Sequence, residues 1–202
     1  MAVMSITVDG DPVAVVDNGD LAMLSVHLRA SVTEEHAAVL SCDGTLTAGH
    51  ADGYRVWLPE LALRDGQVVT IRMDDDNRMP VTPAQAPAVP HTGLSPESVA
   101  TLGNAGSPTA RDVAASRGHA RVRPGFSFAL ATSRGTRCDV RSGPGDEQFQ
   151  CLVMWTLDWE PEYARIRALT TNRERILRRD PGTPVFDGRL FLGDVVTIRC
   201  GG

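Results

Sequence analysis

Val68-Val69-Thr70-Ile71-Arg72 and Val195-Val196-Thr197-Ile198-Arg199 are the same pentapeptide, 127 positions apart. Leu63 and Gly66 precede the first copy, and Leu190 and Gly193 precede the second at the same spacing, so L-x-x-G-x-V-V-T-I-R occurs twice. The glycine supplies a turn that feeds a strand rich in β-branched residues. Strand alternation puts Val69, Ile71 and Met73 on one face, with Val68, Thr70 and Arg72 on the other. Val196, Ile198 and Cys200 take the matching face of the second copy, which makes Met73 and Cys200 equivalent, buried positions.

Working outward, each copy has a hairpin upstream. Ser5 to Val8, a turn at Asp9-Gly10-Asp11-Pro12, and Val13 to Val16 form the first. Phe126 to Ala131, a turn near Arg134-Gly135, and Arg137 to Val140 form the second. Asp20 to Ala30 reads two ways. Leu21, Leu24, Ser25 and Leu28 have helical spacing with Asp20 as N-cap, whereas Ala22, Leu24, Val26, Leu28 and Ala30 alternate as in a strand. Ser31 and Glu34 have capping-box spacing, which suggests a short helix over Ser31 to His36. Ala37 to Ser41 reads as a strand ended by a turn at Asp43-Gly44. Phe149 to Trp155, Tyr163 to Leu169 and Ile176 to Arg178 add strands to the second half.

Six of the 13 prolines fall between Pro80 and Pro108, and Met79 to Pro90 is rich in proline and alanine without an apolar period. This reads as an extended linker, followed by two short helices starting at Ser95-Pro96 and Ser107-Pro108. The expected organisation is a front β-rich module over 1–78, a linker with two short helices over 79–120, and a back β-rich module over 121–202. The fold class is mainly β: two related modules in tandem, each a β-grasp-like α+β unit or a small all-β sandwich.

The chain has 202 residues, 42% hydrophobic and 22% charged, an ordinary globular composition. All 20 basic residues are arginine, and there is no lysine. The formal net charge of −5 is unevenly spread: 1–80 carries −8, 81–120 is neutral and 121–202 carries +3. This argues against a general nucleic-acid coat and suggests two units that meet different partners. No apolar run approaches the length of a membrane span and no secretory leader is visible, so the expected location is cytoplasmic.

Cys42, Cys138, Cys151 and Cys200 form no C-x-x-C pair and read as reduced core thiols, not as a zinc site. His27, His36, His50, His91 and His119 all lie in the first 119 residues, so the back module has no histidine base. There is no phosphate-binding glycine loop, and Gly125-Phe126-Ser127-Phe128-Ala129 falls short of a nucleophile elbow. Asp74-Asp75-Asp76 reads as a solvated loop that protects a sheet edge, because three consecutive side chains leaving a strand do not converge on a cation. Glu160 and Glu162 are an acid/base pair only if a cleft holds them. Trp57, Trp155 and Trp159 are available for ligand stacking, Trp155 being core by its apolar surroundings. No catalytic residue and no cofactor is expected. Arg72 and Arg199, with Asp74, Asp75 and Asp76, are the candidate charged residues for binding a partner.

The order of hairpin, apolar run, strand, Trp57 segment and Leu63…Gly66…VVTIR, together with the Arg199-Cys200-Gly201-Gly202 end, resembles the ubiquitin-like and sulfur-carrier β-grasp proteins. That resemblance implies a tandem ubiquitin-like modifier whose Gly201-Gly202 terminus is adenylated by an activating enzyme, passed to a thiol and then to an amine. A lysine-free modifier would offer no lysine for conjugation to itself. The family's tail extends further beyond its last strand than it does here. The chain is also similar to short bacterial proteins that end in a G-D-x-V-T-I-R strand, a likeness that implies no activity. The alternative expectation is a non-catalytic factor, such as an immunity or accessory protein, that masks a toxin-like protein partner through its acidic front module.

Overall fold

The computed structural model describes residues 2–47, 53–75 and 120–201. The elements run β1 (Ala2–Val8), β2 (Asp11–Asp17), β3 (Leu21–Ser31), β4 (Ala38–Leu46), β5 (Tyr54–Leu63), β6 (Val68–Asp75), β7 (Ser127–Thr132), β8 (Arg137–Arg141), β9 (Gln148–Thr156), β10 (Tyr163–Thr171), a short helix α1 (Arg173–Leu177), β11 (Thr183–Phe191) and β12 (Val195–Gly201). They build two six-stranded antiparallel sheets. Sheet A has the order β2-β1-β6-β12-β7-β8 and sheet B the order β11-β10-β9-β3-β4-β5. Each sheet therefore takes three strands from 2–75 and three from 127–201. The linker and both of its expected helices, over 79–119, lie outside the described residues. Among the described residues no helix is long and apolar enough to cross a membrane.

The repeated pentapeptides pair with each other. β6 and β12 are antiparallel neighbours at the centre of sheet A, and Thr70 lies opposite Thr197, its own counterpart in the repeat. In sheet B the central pair is β3 and β9, where Val26 lies opposite Val153, again 127 positions on. A local two-fold axis thus passes through both sheets. The hydrogen bonds obey it. Gly66 N–H donates to the Cys200 carbonyl at 2.7 Å, and Gly193 N–H donates to the Met73 carbonyl at 2.7 Å. Both glycines have left-handed φ, +89° and +86°, a conformation that a side chain resists. The residue after each glycine folds back on its own turn: Gln67 accepts from Arg64 N–H and Asp194 from Phe191 N–H, both at 2.9 Å. Val68 N–H donates to the Asp9 carboxylate and Val195 N–H to the Ser133 hydroxyl. Different side chains thus satisfy the same backbone groups in each half.

Alternation fills the interior. Met4, Ile6, Val69, Ile71, Met73, Val196, Ile198 and Cys200 from sheet A face Leu24, Val26, Leu28, Leu40, Phe149, Val153, Trp155 and Ile166 from sheet B in one continuous core. Phe128 of β7 stacks on Phe149 of β9 with ring centroids 4.2 Å apart, tying the two sheets together. Met73 and Cys200 are both fully buried, as the repeat requires.

Several local expectations change. The helix that a β-grasp needs over Asp20 to Ala30 is instead strand β3. The sequence satisfies both periods, and pairing with β4 on one side and β9 on the other makes it a central strand from Met23 onward. The expected helix over Ser31 to His36 is absent: Ser31 ends β3 and Val32 to His36 form a turn and bends, the Ser31 hydroxyl accepting from Thr33 N–H. Asp43-Gly44 is no turn: β4 runs through it to Leu46. Ile176 lies in α1, where Asn172 caps the helix by accepting from Arg175 N–H. Arg173 to Leu177 are good helix formers without a β-branched alternation, so the local preference follows the cap.

Three of the four sheet edges carry a proline beside a register shift. Pro12 of β2 lies opposite Thr7 at the β1 bulge, Pro184 of β11 opposite Leu169 at the β10 bulge, and Pro59 of β5 within the irregular β4 pairing. Proline removes a donor and the bulge twists the edge, both of which discourage further pairing at that point of the strand. The fourth edge, β8, has neither device and is only five residues long.

Candidate interaction surface

Arg72 and Arg199 lie on the outer face of sheet A, two residues to either side of the Thr70–Thr197 pair. Arg72 Nε is 3.5 Å from the Asp74 carboxylate. Arg199 faces a shallow depression of about 490 Å³ that it lines with Thr197, Arg137 and Asp139. Asp74 and Asp75 belong to strand β6 and not to a solvated loop. Asp74 is buried within β6 opposite Val3, Asp75 is the exposed last residue of that strand, and Asp76 lies outside the described residues. Alternation sends Asp74 and Asp75 to opposite sides, so the structure does not bring them together. Gly201 is the last residue of β12 and lies opposite Ser127, whose side chain occupies the space that a Cβ would need. Gly202 lies outside the described residues.

All four cysteines are free thiols. Burial pushes Cys42 and Cys151 up to about 12, and burial with the nearby Asp65 charge pushes Cys200 up to about 11. Cys138 is only half-buried, between the β8 and β11 edges, with its thiol 3.3 Å from the Val185 carbonyl. Thiolate is the reactive form. A disulfide-exchange reagent at pH 8 is therefore expected to label Cys138 alone in the native protein and all four thiols after unfolding. Rapid labelling of two or more thiols in the native state would contradict the buried placement of the other three. Among the described residues no group of three or more histidine, cysteine, aspartate or glutamate side chains is placed to hold a metal ion.

Three turns meet at one end of the sandwich. They are the β7–β8 turn, the β9–β10 connection and the β11–β12 turn, the last two side by side because Tyr163 pairs with Phe191. Asp194 joins two of them. Its carboxylate accepts from the Ser133 hydroxyl at 3.2 Å, Arg134 Nε at 2.7 Å and Phe191 N–H at 2.9 Å. Above this hub the Arg134 guanidinium lies 4.5 Å over the Phe191 ring, Phe191 packs on Tyr163 at 5.5 Å, and Arg189 lies 4.6 Å over Tyr163. Four side chains thus form an Arg–Phe–Tyr–Arg ladder held by cation–π contacts.

Glu160 braces the same corner. It bonds to the Tyr163 hydroxyl and takes Arg165 through both carboxylate oxygens, at 2.9 and 3.0 Å. The Tyr163 bond, then the Arg165 guanidinium, hold the Glu160 carboxyl below the usual range. That favours a fixed carboxylate over a proton donor. Glu162 is exposed on the turn. Beyond the ladder Trp159 is 84% exposed and Leu192 is 53% exposed, one on each adjoining turn. Trp155, by contrast, is fully buried, and Trp57 packs against the core from the other half.

Trp159 was accessible to sequence reasoning, since it sits between Asp158 and Glu160 in a polar stretch. The ladder was not: Arg134 and Phe191 are 57 positions apart, and only the pairing of strands from both hairpins places them together. No protein-family model, curated protein or solved structure matches the chain.

Proposed function

We propose that the chain is a non-catalytic protein-binding factor whose contact surface is the corner formed by Trp159, Leu192 and the Arg134–Phe191–Tyr163–Arg189 ladder. The observation that carries this reading is Trp159, a large apolar side chain left in water beside a braced platform. Tryptophan, tyrosine and arginine are the side chains that dominate binding energy at protein interfaces. Here the platform is pre-ordered by Asp194 and Glu160, so little side-chain freedom is lost when a partner docks. The partner offers an apolar pocket for the indole.

The conjugation reading keeps the lysine-free composition in its favour. Against it stands the pairing of Gly201 with Ser127, because an activating enzyme would have to peel the end of β12 from β7.

The test is affinity capture from a lysate of the source organism with the wild-type chain and with Trp159→Ala. A stoichiometric partner held by the wild type and weakened at least tenfold by the substitution supports the reading. Equal capture by both chains, or no stoichiometric partner, overturns it.

A further inference from the structure

The two free edges of sheet A differ in charge, and each points some backbone groups outward: β8 along its whole length, β2 only beyond its Pro12 bulge. On β8, Thr136 and Ser142 N–H and carbonyl groups bond towards β7, as shown by Thr132 N–H to Thr136 at 2.9 Å and Ser142 N–H to Phe126 at 3.0 Å. Rungs of an antiparallel ladder alternate, so the backbone groups of Arg137, Asp139 and Arg141 point away from the sheet. On β2 the bond from Asn18 N–H to the Ala2 carbonyl sets the phase. Val15 and Asp17, on the regular part of β2 beyond the Pro12–Val13 bulge, therefore point their backbone groups outward. None of these five residues bonds to another strand among the described residues. On both edges the same residues carry their side chains on the outer face of sheet A, since Ala14, Val16 and Val140 face the core.

We infer that sheet A continues from one molecule to the next, β8 of one copy adding to β2 of a second copy. Four antiparallel strands lie between the two edges, so β2 and β8 run in opposite directions. A second copy placed beside the first in the same orientation brings its β2 antiparallel to β8. In the register that sets Asp17 opposite Arg137, Val15 meets Asp139, and Asp11 lies beyond the β2 bulge on the side of Arg141. Opposite charges directly or diagonally across a strand pair stabilise it, and like charges destabilise it. Pairing β8 with a second β8 about a two-fold axis sets Arg137 against Arg141 and Asp139 against Asp139. Pairing β2 with β2 brings together two halves of net charge −8. Charge thus selects the unlike pair. Such a head-to-tail contact does not close on itself and leaves a free β2 and a free β8 at the two ends of a growing chain of molecules. The contact is a single short strand pair, so it forms at high protein concentration and weakens with salt. It is independent of the Trp159 corner.

Sedimentation velocity across a concentration series tests this inference, with the wild type, R137E/R141E and D11R/D17R, each checked for folding by circular dichroism. In low salt the wild-type average mass rises with concentration without a plateau at the dimer, and 0.5 M NaCl reduces the association constant at least tenfold. Each double variant alone associates at least tenfold more weakly than the wild type. An equimolar mixture of the two variants associates again, because every β2 then meets a β8 of opposite charge. A wild type that stays monomeric at the highest concentration overturns the inference. So does association that the substitutions leave unchanged, or a mixture that associates no better than its components.

Discussion

Replacing Trp155 with alanine is expected to destabilise the protein by about 3–5 kcal/mol, the range for removing a fully buried aromatic side chain from a core. Trp155 has no solvent exposure, lies on β9 opposite Leu24, and donates its indole N–H to the Pro161 carbonyl at 3.0 Å. The substitution opens a cavity between the sheets and also removes the hydrogen bond to that carbonyl. Against a typical total stability of about 5–15 kcal/mol, this is a large fraction. Urea denaturation followed by circular dichroism gives the change from the midpoint at constant slope. Trp159→Ala is the internal control. Its indole is in water, so a change within about 0.5 kcal/mol is expected. Similar losses at both sites would mean that the two indoles are wrongly assigned to core and surface.

How the sequence and the structure relate is clearest at the repeat. The two L-x-x-G-x-V-V-T-I-R segments declare their own conformation, because a turn glycine followed by β-branched residues has few alternatives. Both hairpins were legible for the same reason, and so was the equivalence of Met73 and Cys200. What the repeat could not declare was its partner. A strand's side chains state which face is buried, not which strand lies beside it, and here each copy pairs with the other. The run Leu21 to Ser31 was ambiguous because its apolar residues satisfy both periods, and only the neighbouring β4 and β9 decide between them. Among the candidate site residues, Arg72 and Arg199 were correctly outward-facing by alternation. Asp74 was misread as solvated because three acids in a row look like a loop, whereas pairing with Val3 holds it in the strand. The Arg–aromatic ladder depends on contacts between residues tens of positions apart, which no local pattern encodes.

Gly44 carries the second large expected effect, and it separates the two readings of Asp43-Gly44. In a turn, the glycine would supply left-handed φ, and alanine there would cost about 1 kcal/mol. In the structure Gly44 is a mid-strand residue of β4 opposite Leu24 on one side and Arg55 on the other, and its φ is not in the left-handed region. The reason for glycine is space. A Cβ at this position would collide with the Met23 carbonyl oxygen and would stand 3.2 Å from both Leu24 Cα and Trp57 Cζ3. Two of those three neighbours are backbone of the adjoining strand, next to the β3 register shift between Leu21 and Met23, and cannot rotate away. Gly44→Ala must therefore move β3 or β4 and lift Trp57 from the core. Strained overpacking of this kind costs typically about 1–3 kcal/mol and occasionally more. We expect the upper end of that range, about 3 kcal/mol, because the obstruction is backbone. Gly10→Ala is the comparison: Gly10 has φ of +91° in the β1–β2 turn with nothing near a Cβ, so only the conformational term of about 1 kcal/mol applies. Chemical denaturation of both variants gives the order. A Gly44→Ala loss no larger than that of Gly10→Ala would restore the turn reading and remove the close approach of β3 to β4.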